Sequence, residues 1–463
     1  MINRGNDRWV RSGNLQNRIT PEALLVTFTA VFGSLLLFAI PPFQIPDEHQ
    51  HFGRSYSVSE GYLFHTSVDL PAGFQRLMDL TKGIAFHPDK KIHLNELMTY
   101  WNHPMLLGQR INIELPSSSV FTPVPYLFSA AGLFVGRLVD GSPLITFYVG
   151  RLLNLAIWTL LSYAAVRITP VCKWLFVLLL LAPMSLSQAG SYSADSLTNA
   201  VCFLWIGLCL MLARSDEKPL SLGRIVLLFG VGWLLPLLKP PYTFLAALVF
   251  LIPGNKFGSR QKYFTAIAVL LVGAGVLFVV SSNINRDYYF SKSPYPGIDR
   301  DAQIALVIEN PVAYLKTLID TLFYYRLVFL TISYIGILGW LDTSLPGYVY
   351  WTYPLMIMIV ALTETYRVFH LSLRHRILLV STGLITTVVV ATGQYVTWTP
   401  VGSPVIWGIQ GRYFVPIIPV LLVALHNKQC GCQRWILSYV VPVYLVTVLG
   451  LTLFVVINRF YYM

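Results

Sequence analysis

The sequence predicts an all-α, polytopic membrane protein, and three observations carry that expectation. Of its 463 residues, 55% are hydrophobic and only 12% are charged. A soluble domain carries about 25% charged residues. Mean hydropathy is +0.61. Apolar runs recur along the chain, several close to the ~20 residues that a helix needs to cross a hydrocarbon core. A soluble enzyme, a secreted disulfide scaffold and a disordered chain are excluded.

The first run, 23–40, follows Arg4, Arg8, Arg11 and Arg18 and has no small-residue cleavage site. It reads as a retained anchor, which puts residues 1–22 in the cytoplasm. Further crossings are expected at 143–166, 174–190, 196–213, 225–238, 241–254, 263–283, 351–366, 377–397, 413–425 and 436–457. That makes about eleven helices. The connections this scheme places inside are basic: Arg167 and Lys173; Arg214, Lys218 and Arg224; Lys256, Arg260 and Lys262; Arg367, Arg374 and Arg376; Lys428 and Arg434. The short outer connections hold few cations beyond Lys239 and Arg412. Positive charge on the cytoplasmic side is the ordinary determinant of orientation.

Two stretches test the scheme. Residues 225–254 are read as two short helices broken at Lys239-Pro240-Pro241, because one span there would flip every later basic loop. Residues 122–138 are read as a helix that lies at the outer surface or re-enters, since a full crossing would move Arg167 and Lys173 outside. The chain then divides into a cytoplasmic segment, 1–22, and a transmembrane module, 23–283, that includes a first outer loop, 41–142. A second outer loop with interfacial helices, 284–350, and C-terminal transmembrane helices, 351–463, complete it. No internal repeat is evident.

The net charge of +12 is distributed among short loops rather than along a binding stripe, and no nucleic-acid motif occurs. Nucleic acid is therefore not an expected partner. Cys172, Cys202 and Cys209 fall in or beside apolar runs, and Cys430 and Cys432 form a lone CxC, so no disulfide framework is implied. Nucleotide-binding and serine-hydrolase motifs are missing.

Candidate chemistry gathers where runs meet polar loops. PPFQIPDEHQHFGR, 41–54, begins where the first run ends. Its prolines end the helix and direct an extended chain. Asp47 and Glu48 follow, and adjacent carboxylates point in different directions on a helix, which suits separate roles: a general base and an orienting group. The alternative is a solvated helix N-terminus. Six of nine histidines lie in the same loop, His49 and His51 among them, with surface positions as the ordinary reading and no metal-ligand spacing. In GSYSADSLTN, 190–199, either Ser193 or Asp195 can cap the next helix, and Asp195 is costly at a membrane edge unless paired or hydrated. Lys239 must snorkel, pair or hold an anion. In GIQGRYFVP, 408–416, glycines permit close approach and Arg412 can make a bidentate phosphate or carboxylate contact. Arg151, inside an apolar run, needs a partner such as Asp195 or the Asp47–Glu48 pair. Tyr288, Tyr289 and Tyr295 fit an interfacial belt or, less specifically, a sugar platform.

PPFQIPDEHQHF, GSYSADSLTN, LGWLD (338–342) and QGRYFVP together resemble a bacterial family of polytopic membrane proteins of the DUF2142 type, over about residues 23 to 425. That family in turn resembles the GT-C membrane glycosyltransferases, which include protein O-mannosyltransferases and the aminoarabinose transferases of lipid A. The resemblance implies a GT-C-like helical bundle in the bacterial plasma (inner) membrane, with an extracytoplasmic site. It implies a polyprenyl-phosphate-sugar donor and a glycan, lipid or protein acceptor. Asp47-Glu48 match the acidic motif after the first helix, Asp195 the second acid, Lys239 the lysine between two short helices, and Arg151 the arginine opening the second helix of the mannosyltransferases. Asp47 is then the general base of a single inverting displacement. Glu48 and Asp195 orient the acceptor or the catalytic groups, or hold a divalent ion (Mg or Mn). Arg151, His51 and Arg54 join them as orienting groups. Lys239 and Arg412, with Gln410 and Tyr413, surround the donor phosphate. The alternatives are a lipid-linked glycan flippase or transporter, with Asp195, Arg151 and Lys239 as pathway charges, and a glycan polymerase or ligase.

Overall fold

The computed structural model describes residues 19–215, 219–292, 296–364, 371–426 and 436–462. Of the residues weighed above, Arg4, Arg8, Arg11, Arg18, Lys218, Tyr295, Arg367, Lys428, Cys430, Cys432 and Arg434 lie outside them. Among the described residues, six helices are long and apolar enough to cross a membrane. They are Pro21–Ala39, Pro143–Ile168, Ala194–Arg214, Arg260–Ser291, Leu373–Trp398 and Ile436–Phe460. The protein is an all-α, multi-pass membrane protein. Strands are confined, among the described residues, to two small antiparallel pairs: Ser67–Pro71 with Arg110–Glu114, and Ile337–Leu338 with Thr343–Ser344.

Local chemistry explains the helix ends. Thr20 caps the first helix by accepting the Ala23 N–H at 3.2 Å, with Pro21 at the first helical position. The helix stops at Ile40, since neither Pro41 nor Pro42 can supply a backbone N–H. Ala194–Arg214 is buried along nearly its whole length and forms the middle of the bundle. Its Trp205 donates its indole N–H to the Leu245 carbonyl at 2.7 Å.

Four expected elements take a different form. The run at 174–190 breaks into Lys173–Leu180 and Pro183–Ala189, because Pro183 cannot continue the preceding hydrogen-bond ladder. Leu222–Leu238 ends at an extended Lys239, where the break was expected, but Pro240–Leu251 is a 3-10 helix rather than an α-helix. At about 2.0 Å rise per residue its 12 residues reach ~24 Å, against ~18 Å for an α-helix of that length. The tighter winding lengthens a segment that is otherwise short. The run at 413–425 keeps only Ile418–Val423 as α-helix, after a 3-10 turn at Gly411–Phe414. Pro311–Tyr325 and Leu327–Ile335 form a pair bent by 61°.

The ambiguous stretch, Val124–Leu138, doubles back along the first half of Pro143–Ile168. A Cβ on Gly132 would come within 2.6 Å of the Gly150 Cα, and one on Gly136 within 2.8 Å of the Thr146 Cα. Small residues let the two backbones touch, the usual device where lipid supplies no hydrophobic drive between helices. At the far end of the bundle from Asp47, buried Glu364 accepts the Trp174 and Leu175 N–H groups at 3.0 and 2.9 Å. The main buried core draws on residues from Leu24 to Tyr461, with two smaller clusters beside it, around Tyr314 and Tyr395 and around Val58 and Tyr126.

Candidate functional site

The chain leaving the first helix is held tightly. Gln44 donates to the Thr81 carbonyl at 2.8 Å, and Trp340 donates to the Phe43 carbonyl at 3.0 Å. His49 stacks on the Trp340 ring at 5.8 Å. Trp340 belongs to LGWLD, whose Asp342 pairs with Arg459 at 2.6 Å. Arg459 also donates to the Lys90 and Ile84 carbonyls at 3.0 and 2.7 Å. That motif ties the last helix to the first long polar segment.

Asp47 adopts a left-handed conformation, φ 61°, immediately before the Glu48–Ser59 helix. This twist sends the two adjacent carboxylates apart. Asp47 is 48% exposed at its side chain, whereas Glu48 is fully buried. Glu48 forms a two-pronged pair with Arg151, at 2.9 Å from Nε and 2.5 Å from Nη2. Its Oε1 also accepts the Tyr192 N–H at 3.3 Å. Arg151 donates further to the carbonyls of Leu37, Ile40 and Pro41, at 2.9, 2.7 and 3.2 Å. A guanidinium here satisfies the orphan carbonyls at the end of the first helix.

In front of that pair lies a cavity of about 310 Å³, with Asp47, His51, Asp195, Lys239, Gln410 and Arg412 on its walls. Ser193 caps Ala194–Arg214 by accepting the Asp195 N–H at 3.1 Å, so the Asp195 side chain is not the cap. The Asp195 carboxylate pairs with Lys239 through Oδ1 and stands 3.8 Å from Arg412 Nε through Oδ2. Gln188 donates to Asp195 at 3.4 Å. Arg412 Nη2 stands 3.8 Å from Asp47. Tyr413 lies between the two cations, its ring centre 5.6 Å from Lys239 and 5.3 Å from Arg412. Two buried polar atoms here have no hydrogen-bond partner: Arg412 Nε and Gln410 Oε1. An unmet buried donor beside a cavity is costly unless a ligand or water completes it.

His51 bonds through Nδ1 to the Tyr126 hydroxyl at 2.8 Å. Burial pushes its pKa down to about 4, against the opposing pull of Asp47, so the imidazole is neutral at physiological pH.

Several expectations need correction. Glu48 and Arg151 do not reach the cavity; they are sealed against each other behind it. Arg54 is buried and donates to the Leu63 and Phe121 carbonyls at 2.5 and 3.1 Å, which fixes the Phe121 wall instead of facing an acceptor. Glu48 and Asp195 do not come together as metal ligands, each being committed to its own cations. Among the described residues no group of three or more His, Cys, Asp or Glu is placed to hold a metal ion.

Sequence reasoning missed part of the wall, Phe121, Arg286 and Trp398, while Tyr289, weighed above as an interfacial or sugar-platform residue, does line it. Arg286 and Tyr289 sit past the apolar part of the long Arg260–Ser291 helix, and Trp398 ends Leu373–Trp398. Gly408, at φ 68°, gives the Trp398 ring its seat, since a Cβ there would lie 2.2 Å from the indole. Nothing in the spacing of these residues connects them; only the fold does.

A family model described as a predicted membrane protein, DUF2142, matches residues 30–421. The chain belongs to this family. The DUF2142 match spans all four quoted motifs and every candidate residue from Asp47 to Tyr413. No curated protein and no solved structure matches the chain.

Proposed function

We propose that this DUF2142 protein is a membrane glycosyltransferase that moves a sugar from a polyprenyl-phosphate donor to an extracytoplasmic glycan, lipid or protein acceptor. The observation that carries the reading is one cavity in a membrane bundle that joins a half-exposed carboxylate, Asp47, to a buried arginine with an unpartnered donor, Arg412. The cavity wall carries three cations, Lys239, Arg286 and Arg412, against two carboxylates, Asp47 and Asp195. The excess positive charge suits an anionic phosphate.

In the reaction, the acceptor hydroxyl gives its proton to Asp47 as its oxygen bonds to the anomeric carbon. The bond from that carbon to the phosphate oxygen breaks, and polyprenyl phosphate leaves with the electron pair. Lys239 and Arg412 offset the charge that develops on the leaving oxygen. Asp195 holds both cations in position. The aromatic rings on the cavity wall, Phe121, Tyr289, Trp398 and Tyr413, flank the space for the sugar.

The same reading takes the bundle as GT-C-like with eleven crossings. Six are the long helices. The other five are 173–189, Leu222–Leu238, Pro240–Leu251, Gly347–Thr363 and the segment through Ile418–Val423. It sets the N-terminus in the cytoplasm and the cavity on the opposite side of a bacterial inner membrane.

The test is turnover of polyprenyl-phosphate sugars by the reconstituted full chain, followed by release of polyprenyl phosphate. Asp47→Asn is expected to lose transfer while retaining donor binding. Full turnover in that variant would sink the assignment of the base.

A further inference from the structure

The turn that joins Ile337–Leu338 to Thr343–Ser344 contains two residues in the left-handed region, Gly339 at φ 59° and Leu341 at φ 62°. A Cβ on Gly339 would collide with the Asp342 carboxylate. That carboxylate accepts the Thr343 hydroxyl at 3.0 Å and pairs with Arg459, both charged side chains being almost wholly buried. Arg459 carries the anchorage on to the Lys90 and Ile84 carbonyls. The turn is thus rigid, and Trp340 stands at its tip.

Trp340 grips the chain around Asp47 in two places. Its indole N–H donates to the Phe43 carbonyl at 3.0 Å, and its ring stacks on His49 with 5.8 Å between centres. Phe86 packs on the same ring at 5.2 Å. One contact therefore lies before Asp47 in the chain and the other after it. Two residues of this segment are left-handed, Phe43 at φ 63° and Asp47 at φ 61°. Outside glycine that conformation persists only where the surroundings over-determine it. Gln44 and the Phe43 ring fix the upstream half against Thr81 and Phe147, whereas Trp340 spans both sides. The Asp47 carboxylate does not cap its own helix, and Arg412 stands 3.8 Å from it. Its aim into the cavity is set by the backbone.

We propose that Trp340 is a positioning residue for the transfer reaction. It is not on the cavity wall, but it holds the 43–49 segment in the shape that points Asp47 into the cavity. The proposal rests on the reading of Asp47 as the base. A catalytic group displaced by about 1 Å loses up to about a hundredfold in rate, so a grip of this kind acts on turnover more than on substrate binding.

Amide hydrogen exchange reads the segment without any ligand. In the full chain in detergent, the Gln44, Glu48, Gln50 and His51 N–H groups, bonded to the Pro41, Ile45 and Asp47 carbonyls, report its order. Trp340→Phe keeps a ring for His49 and loses the N–H. We expect residues 43–51 to exchange about fivefold faster in that variant and at least about tenfold faster in Trp340→Ala. The Ser67–Pro71 strand should keep its rate within about twofold in both. On the polyprenyl-phosphate sugar that wild type turns over, Trp340→Phe should lower kcat about tenfold per phosphate-binding site, the sites being counted by titration with a polyisoprenyl phosphate. KM should stay within about twofold. Unchanged exchange at 43–51 in both variants would overturn the proposal. So would faster exchange there with kcat per site unaltered. Faster exchange throughout the outer segment in both variants would overturn it too, by making Trp340 a general structural residue. Faster exchange confined to 43–51 in a protein that transfers no sugar would uphold the grip and refute the transferase.

Discussion

Glu48 and Asp195 are both buried acids facing cations, yet they belong to different kinds of region. Glu48 and Arg151 are fully buried, and the guanidinium reaches both carboxylate oxygens and three backbone carbonyls. Asp195 is also buried and pairs directly with Lys239, but Arg412 Nε stands 3.8 Å from it, beyond hydrogen-bond distance, and has no hydrogen-bond partner beside the open cavity. The first region is complete without a ligand and serves the fold. The second is incomplete, and an incomplete buried ionic group next to a cavity is where binding energy is available. Sequence reading treats these acids alike; the degree of hydrogen-bond completion separates them.

The largest effect should come from breaking the complete region. Arg151→Met leaves Glu48 buried without its counter-charge and frees the carbonyls of Leu37, Ile40 and Pro41. Removing one partner of a buried pair costs about 3–5 kcal/mol. Thermal unfolding in detergent should register that loss, while Arg151→Met combined with Glu48→Leu should recover much of it. A double variant no more stable than the single one would mean that the carbonyl contacts, not the charge, carry the cost.

His51 stands between the two regions in character: bonded to Tyr126, yet on the cavity wall. Its pKa falls from 6.5 to about 4 through burial. The unfolded chain takes up a proton below about pH 6.5 that the folded protein refuses, so stability declines as pH drops from 6.5 and levels off below about 4. The decline attributable to this group is at most about 3 kcal/mol. Unfolding measured across that range should show a shallower slope in His51→Asn. An identical slope would assign the acid sensitivity to other groups.

Much of this was legible in the chain, for physical reasons that also mark the limits. Apolar runs must cross lipid, so the long helices could be read directly. Pro240 and Pro241 cannot continue a helix, so the break at Lys239 was readable, but the 3-10 winding beyond it was not. The partner of Arg151 was narrowed to Asp195 or the Asp47–Glu48 pair; the left-handed turn at Asp47, which decides between the two neighbours, leaves no mark in spacing. Arg286 and Trp398 reach the cavity from helix ends more than 100 residues apart, and no local pattern joins them.

In the incomplete region, removal of a charge should disturb binding more than stability. Lys239→Met leaves Asp195 with Arg412 and with access to the cavity, so the cost to folding should be about 1–2 kcal/mol, well below that of Arg151→Met. Binding of a polyisoprenyl phosphate should weaken about tenfold or more. A stability loss as large as that of Arg151→Met, with binding intact, would move Lys239 into the structural class.

Asp47 gives the smallest expected change in stability and the sharpest test of the comparison. Its carboxylate is half-exposed, its nearest cation is 3.8 Å away, and its backbone sits at φ 61°. Asparagine tolerates that left-handed conformation as aspartate does, so Asp47→Asn removes the charge without straining the turn that sends Glu48 to Arg151. Unfolding should shift by no more than about 0.5 kcal/mol, as for ordinary surface changes. Asp47→Val puts a β-branched residue at positive φ and should destabilise more, through the backbone alone. If Asp47→Asn proves as damaging to the fold as Asp47→Val, the carboxylate itself is structural, and the division between a complete and an incomplete acid fails at its most exposed member.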